Sequence, residues 1–233
     1  MFKAILTYDG TRYFGWQKTK NGPAIQGELE KAIALVTGES TMPEAASRTD
    51  RGVHAKAQVV QFALKNQVQP HRLQRALNAL LPSDIRVLEM VLEEFHPTLD
   101  AKCKEYHYNL DIGPVQDPIR RLYSWHFYYP IDLVKMKIAT LDLIGTHDFT
   151  AFSNIEEKNP ICTVESIIFD GHFVVKGNRF LYKMVRNIVG TLVYIGCGKL
   201  PPGCIPEILQ SKDRKKAGVT APAHGLYLHE VFY

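Results

Sequence analysis

Apolar and β-branched residues from Phe2 to Tyr8 predict a strand. Asp9-Gly10 then opens a loop carrying Arg12, Tyr13, Phe14 and Trp16. Aromatics mixed with cations suit base stacking, although such a loop more commonly packs onto its own domain. Pro23 introduces a helix whose stripe is Ile25, Leu29, Ile33 and Val36, closed by Gly38. Val60, Phe62 and Leu64 alternate with polar or small neighbours and predict a half-buried strand. Pro70 begins a second helix with Leu73, Leu77 and Leu80 inward, and Pro82 stops it. Ile85 to Phe95 is strand-like, and His96-Pro97 marks a boundary.

The pattern restarts in the second half. Lys102 to Ile112 alternates, with Tyr106, Tyr108, Leu110 and Ile112 on one face and Glu105, His107, Asn109 and Asp111 on the other. Leu122 to Tyr129 predicts another strand, and Ile131 to Ile144 an amphipathic helix ended by Gly145. Thr163 to Phe169 and His172 to Lys176 form a hairpin across Asp170-Gly171. Phe180 to Ile195 is a helix with the stripe Leu181, Val185, Ile188, Leu192 and Ile195, while Lys183, Arg186 and Gly190 fall on a different strip. Pro206 starts a short helix and Leu226 to Tyr233 a closing strand. Strands, helices and hairpins in two comparable halves, 1–98 and 99–233, give an α+β class.

A chain of 233 residues can bury a sizeable core. A formal charge of +4 permits nucleic-acid binding without requiring it, so the placement of charge matters more. Gly171 to Pro206 holds Lys176, Arg179, Lys183, Arg186 and Lys199 and no acid. The second basic run, Lys212 to Lys216, reads on its own as a solvated face. Cys103, Cys162, Cys197 and Cys204 are widely spaced, which argues against a zinc knuckle or a disulfide framework. His224 and His229 sit at an odd offset, on opposite faces if that segment is a strand, so they make a poor metal pair. No apolar stretch is long enough to span a membrane, and the first residues enter a strand pattern rather than a signal peptide, so a cytoplasmic location is expected. No metal motif and no Gly-rich phosphate loop is visible.

The stretch with most chemistry is Ala46 to Ala55, in which Asp50 lies between Arg48 and Arg51, with Gly52 and His54 beyond. A carboxylate flanked by cations is expected to stay ionised well below neutral pH. It is then suited to attack an electrophilic carbon or to steady positive charge rather than to donate a proton. The arginines suit phosphate, and Gly52 allows a turn or a close approach. On spacing alone a surface turn of solvated Arg–Asp pairs, each worth little, stands slightly ahead.

Arg48-Thr49-Asp50-x-Gly52-Val53-His54-Ala55 resembles the signature of the tRNA pseudouridine synthase A family. Further pieces match in order along nearly the whole chain: Tyr8-Asp9-Gly10-Thr11 with Phe14-Gly15-Trp16-Gln17, Gln26-Gly27-Glu28-Leu29-Glu30, Leu77 to Pro82, Lys104-Glu105-Tyr106-His107-Tyr108, Asn178 to Gly190, and Gly225 to Leu228. The resemblance implies two α/β halves sharing a mainly antiparallel sheet with a central basic cleft. It implies isomerisation of uridine to pseudouridine at positions 38–40 of the tRNA anticodon stem-loop, without cofactor or metal, by a homodimer. Asp50 is then the catalytic aspartate, as nucleophile or base. Tyr106 would stack on the target base, Arg186 would orient Asp50, and Arg48 would hold phosphate or neighbouring structure. Ser47, Lys183 and Cys162 depart from residues the family usually shows, which are glycine, histidine and arginine. Two rivals belong to other classes: a non-catalytic tRNA-binding protein using the same cleft, and a phosphoryl-transfer enzyme or nuclease using Asp50. The nuclease would need a cluster of carboxylates for metal ions, and the signature stretch has one.

Overall fold

The computed structural model describes residues 1–233. In chain order the elements are β1 (Phe2–Tyr8), α1 (Ile25–Thr37), β2 (Glu44–Ala45), β3 (His54–Phe62), α2 (Pro70–Leu80), β4 (Ile85–Leu92), β5 (Cys103–Ile112), β6 (Trp125–Phe127), α3 (Leu133–Thr140), β7 (Gly145–Asp148), β8 (Ile161–Phe169), β9 (His172–Gly177), α4 (Met184–Gly196), α5 (Ile205–Ser211) and β10 (Leu226–Phe232). The class is mixed α+β, with five α-helices and mostly antiparallel strands. No helix is long and apolar enough to cross a membrane. The chain forms two compact units, Met1–Lys102 with Tyr227–Tyr233, and Cys103–Leu226.

In the first unit the strands run in the order β4-β1-β3-β10, with β2 also on β3. β1 buries alternate residues, Phe2, Ala4, Leu6 and Tyr8, as period-two geometry requires of a strand covered on one face. β3 differs from the half-buried strand expected through Leu64: Gln58 to Phe62 are all buried. The strand ends at Phe62 because its antiparallel partner begins there, Phe2 lying opposite Phe62, so Leu64 has no ladder to join. The other edge of β3 carries β10 in parallel near His54 and β2 near Gln61. β4 likewise stops at Leu92, opposite Phe2, short of the expected Phe95.

The apolar stripe of α2 also shifts. Leu73 and Leu77 are buried, but Leu80 is 51 % exposed and Leu81 takes the next inward place. The stripe therefore steps by four residues. Leu81 has left the helix in an extended conformation, as the residue before Pro82 must.

In the second unit the strand order is β5-β9-β8-β7, all antiparallel, with the short β6 parallel to β5. The hairpin turn falls at Gly171, whose φ of 72° lies in the left-handed region that glycine tolerates. The expected strand from Leu122 to Tyr129 contracts to Trp125–Phe127. The expected helix from Ile131 to Ile144 breaks into α3 and a 3-10 turn, Leu141–Leu143. Asp132 caps α3 by accepting from the backbone N–H of Val134 and Lys135, each at 3.1 Å. This helix is not simply amphipathic. Met136 and Ala139 face inward, while Val134, Ile138 and Leu141 stand exposed.

α4 starts at Met184, four residues after the expected Phe180, and eleven of its thirteen residues are buried. One face meets the segment before β10: Gly190 lies so close that an added Cβ would enter the carbonyl of Val219. Gly27 in α1 is the opposite case, with only the flexible Lys18 stem 3.9 Å from an added Cβ. Alanine in a helix is favoured over glycine by about 1 kcal/mol where space allows, and overpacking costs about 1–3 kcal/mol where it does not. Thermal unfolding of the two variants is therefore expected to diverge, Gly27→Ala raising Tm and Gly190→Ala lowering it by several degrees, at about 2–4 °C per kcal/mol for a chain this size.

Candidate active site

Asp50 is half-buried in the loop that leads into β3. Its carbonyl accepts from Val53 N–H at 3.1 Å, and Gly52, at φ 78°, makes the turn between them. Beneath the loop lies a buried polar cluster. The Tyr8 hydroxyl and Thr49 Oγ1 are 2.7 Å apart. The Gln58 amide donates to Ser47 O at 2.6 Å and to the Tyr8 hydroxyl at 3.3 Å, and accepts from Ser47 N–H at 3.1 Å. Gln58 is fully buried, and an unmade hydrogen bond there would cost about 1–3 kcal/mol. These bonds fix the backbone immediately before Asp50.

The loop after β1 holds the other side. Trp16 N–H donates to Thr49 O at 3.0 Å and Gly52 N–H to Tyr13 O at 3.3 Å. An added Cβ at Gly15 would enter Thr49 O, and one at Gly10 would enter Val53 O. His54, buried, accepts Gly10 N–H on Nδ1 at 3.1 Å and stacks on Tyr227 with ring centroids 4.8 Å apart. The same loop is tied down at Asp84, which accepts from Arg12 Nε at 2.8 Å and from the Tyr13 hydroxyl at 2.6 Å. Burial, with that carboxylate beside it, pushes the Tyr13 phenol well up. Tyr13 and Trp16 are therefore packed core residues, not a stacking surface for bases.

The two arginines of the signature have separate surroundings. Arg51 lays its guanidinium over the Phe14 ring, 4.2 Å from the centroid. Arg48 is exposed and lines a cavity of about 360 Å³ in the same unit.

In the second unit Tyr106 is buried on β5 opposite Val175, with its ring edge-on to Phe180 at 5.3 Å. Tyr108, on the same face, donates to Pro222 O at 2.9 Å. Arg186, half-buried on the first turn of α4, donates from Nε to Ala221 O at 2.7 Å, and its own carbonyl accepts from Ala221 N–H at 3.1 Å. The neighbouring Asn187 is fully buried. It donates to Phe152 O at 2.6 Å and to Asn154 Oδ1 at 2.8 Å, and accepts from Arg214 at 2.8 Å and Thr220 at 2.7 Å. Arg214 also donates to Gly218 O at 2.8 Å. Residues 214–221 are thus bolted to α4 around Arg186.

That clasp corrects one expectation. The basic run Lys212 to Lys216 is not wholly a solvated face, because Arg214 turns inward and Lys212 pairs with Asp148 at 2.7 Å. Asn187, Gln58 and Asp84 carried no signal as structural anchors, since the partners they bind are distant in the sequence. Lys183 adopts φ 62°, a conformation uncommon for a residue with a Cβ, and its ammonium lies 4.9 Å from the Tyr182 ring centroid. Cys162 is fully buried in β8, where burial pushes its thiol up to about 11, so it packs and offers RNA no surface. All four cysteines are free thiols.

Lys104, two residues before Tyr106, is brought down to about 8, by burial first and by the Arg179 charge second. Between that value and the ordinary 10.5 the unfolded chain binds more protons than the folded one, so this group makes stability rise with pH. The difference in Tm between the wild type and Lys104→Met is expected to shift in favour of the wild type from pH 7 to pH 10. A pH-independent difference would show that the amine is not held in this way.

Comparison with known proteins gives the family of the chain. A family model described as tRNA pseudouridine synthase matches residues 4–95 and 139–233. A protein named tRNA pseudouridine synthase A 2 from Protochlamydia amoebophila is 48 % identical over 244 residues, covering 99 % of this chain and 93 % of that one. Proteins named tRNA pseudouridine synthase A from a Thermoanaerobacter species and from Streptococcus equi subsp. equi are 44 % and 41 % identical, with 98 % of each covered. With the family model running through the Asp50 loop and α4, and with relatives more than 40 % identical over at least 98 % of the chain, the chain belongs to the tRNA pseudouridine synthase family, isomerases that convert uridine to pseudouridine.

Proposed function

We propose that the chain acts at positions 38–40 of the tRNA anticodon stem-loop and that Asp50 is its catalytic carboxylate. The observation that supports Asp50 is its placement, as a half-buried acid on a loop held from both sides by hydrogen bonds and by glycines without room for a Cβ, while the anticodon-arm site rests on the family resemblance of the signature motifs. Rigid placement of the reacting group is what lets a bound geometry lower a barrier. In the proposed reaction the bond from uracil N1 to the ribose anomeric carbon breaks, and the same carbon bonds to C5. The proton leaves C5, N1 takes one up, and no oxidant or group donor is consumed. Asp50 serves either by attacking the sugar or by removing a proton next to the anomeric carbon.

Tyr106 is assigned to stacking on the uracil while it turns, and Arg186 to orienting the carboxylate. The main-chain clasp at Ala221 holds Arg186 Nε and so fixes where its guanidinium sits. Arg48 is assigned to phosphate. A target uridine has to leave its stack, at a cost of a few kcal/mol. Phosphate contacts and counterion release in a basic cleft would offset that cost. Arg179 and Lys183 supply further cations from the second unit.

A homodimer and a cytoplasmic location belong to the same proposal. Support for a second copy comes from the exposed apolar side of α3 and its 3-10 turn, with Val134, Ile138 and Leu141 each more than 60 % exposed.

The test is pseudouridine mapping by mass spectrometry in unmodified tRNA incubated with the protein alone. Product is expected on the 3′ side of the anticodon arm with the wild type. Asp50→Asn should lose it by a factor of a thousand or more while keeping tRNA affinity and Tm. Turnover by Asp50→Asn, or product confined to another arm, would overturn the assignment.

A further inference from the structure

The cavity beside Arg48 belongs to no step assigned above. It lies within the first unit, and its walls come from Trp16, the Met42–Ala45 segment, Arg48 and the turn at His96 to Leu99. Its volume of about 360 Å³ is at the lower end for small-molecule sites. The cavity is continuous with the signature loop. Trp16 is bonded to Thr49 O on one side and, through its carbonyl, to Gln26 N–H at 2.9 Å on the other.

The walls are preformed. His96 Nδ1 accepts the backbone N–H of Thr98 at 3.2 Å and of Leu99 at 3.1 Å, and the Asp100 carboxylate accepts His96 N–H at 2.8 Å. With Nδ1 engaged as an acceptor, the ring proton sits on Nε2, which lies 3.7 Å from Glu44 Oε2. Thr98 closes the turn onto the chain by donating to Ala45 O at 3.3 Å. Two large apolar side chains stand open at this site, Met42 at 69 % and Leu99 at 78 % exposure.

The chemistry selects an occupant. A carboxylate in the wall repels phosphate, so the cavity itself does not suit an anion. It suits a flat, neutral group that slides between apolar side chains and presents a donor to Glu44 beside an acceptor for the His96 N–H. An unstacked nucleobase has that shape, and guanine, with N1–H next to O6, has that edge. Single-stranded RNA is read in this way, by stacking on side chains and by hydrogen bonds to base edges. Arg48, which is exposed, would meet the phosphate attached to such a base outside the cavity. We propose that this cavity is a second nucleotide subsite, which holds one extruded base of the same RNA while its neighbour occupies the reactive position. The inference rests on the reading of the chain as acting on the anticodon arm.

Binding, not turnover, tests it. Fluorescence anisotropy would measure Kd for an anticodon stem-loop RNA, intact and with a single abasic site moved through the arm, using the wild type and the Met42→Ser/Leu99→Ser variant. Both positions are exposed, so these neutral substitutions are expected to leave Tm within a degree or two. The variant is expected to bind intact RNA about tenfold more weakly, the scale of losing one stacked base. At one abasic position the wild type should weaken equally and the variant should lose nothing more. An unchanged Kd for the variant on intact RNA, or the same tenfold loss at every abasic position, would overturn the subsite. RNA that binds the wild type without forming pseudouridine would overturn the proposed function and still leave this cycle to decide the subsite. Failure to bind would overturn both.

Discussion

The Asp50 loop is held in place by polar groups that water cannot reach. Tyr8, Thr49 and Gln58 are all buried, and each satisfies the others or the Ser47 backbone. A polar cluster of this kind is stabilising only when every member is paired, because an unpaired buried donor or acceptor costs more than a typical bond contributes. The loop therefore has one well-satisfied arrangement, and a shift of its backbone breaks several bonds together. Gly10 and Gly15 add a steric version of the same constraint, since any side chain there would push Val53 or Thr49 away. The aromatic loop after β1 thus works as the outer jaw of a clamp, with Asp84 anchoring it through Arg12 and Tyr13.

The second unit solves a similar problem by related means. Arg186 stands at the start of a helix buried on nearly every side, and Asn187 beside it ties that helix to residues 152, 154, 214 and 220. Gly190 and Gly218 let the helix and the 217–221 segment meet backbone to backbone. Arg214 meets only neutral partners among its hydrogen bonds, and burial draws its pKa down, so its role is directional rather than that of an ion pair. In both units the residues with assigned chemistry sit beside buried polar groups that fix the local backbone, the arrangement expected where a reacting group must not drift.

Much of the fold was legible in the sequence because it depends on local rules. The β1 pattern, the helix after Pro23, the hairpin at Asp170-Gly171 and the alternation along β5 follow from periodicity and turn chemistry, and the structure contains each. What was not legible depends on partners distant in the chain. β3 ends at Phe62 because β1 begins opposite it, and β2 and β7 are short strands that exist only by pairing with β3 and β8. The α3 segment misled because its apolar residues point both ways, and periodicity cannot tell a buried face from an exposed one. Asp50 stood out through its charged neighbours, and the ordered set of motifs named its family. The residues that hold it, Tyr8 and Gln58, lie 42 residues before it and eight after it, with nothing local to connect them.

The most direct test of this account is the effect of the buried cluster on the chemical step itself. Single-turnover pseudouridine formation at saturating tRNA would be compared between the wild type and Thr49→Val, which keeps the side-chain shape and removes the hydroxyl bonded to Tyr8. The rate constant is expected to fall at least about tenfold with tRNA affinity retained, because the carboxylate next to Thr49 loses its fixed position. An unchanged rate constant in a folded variant would contradict it and would mean that the cluster stabilises the unit without placing Asp50.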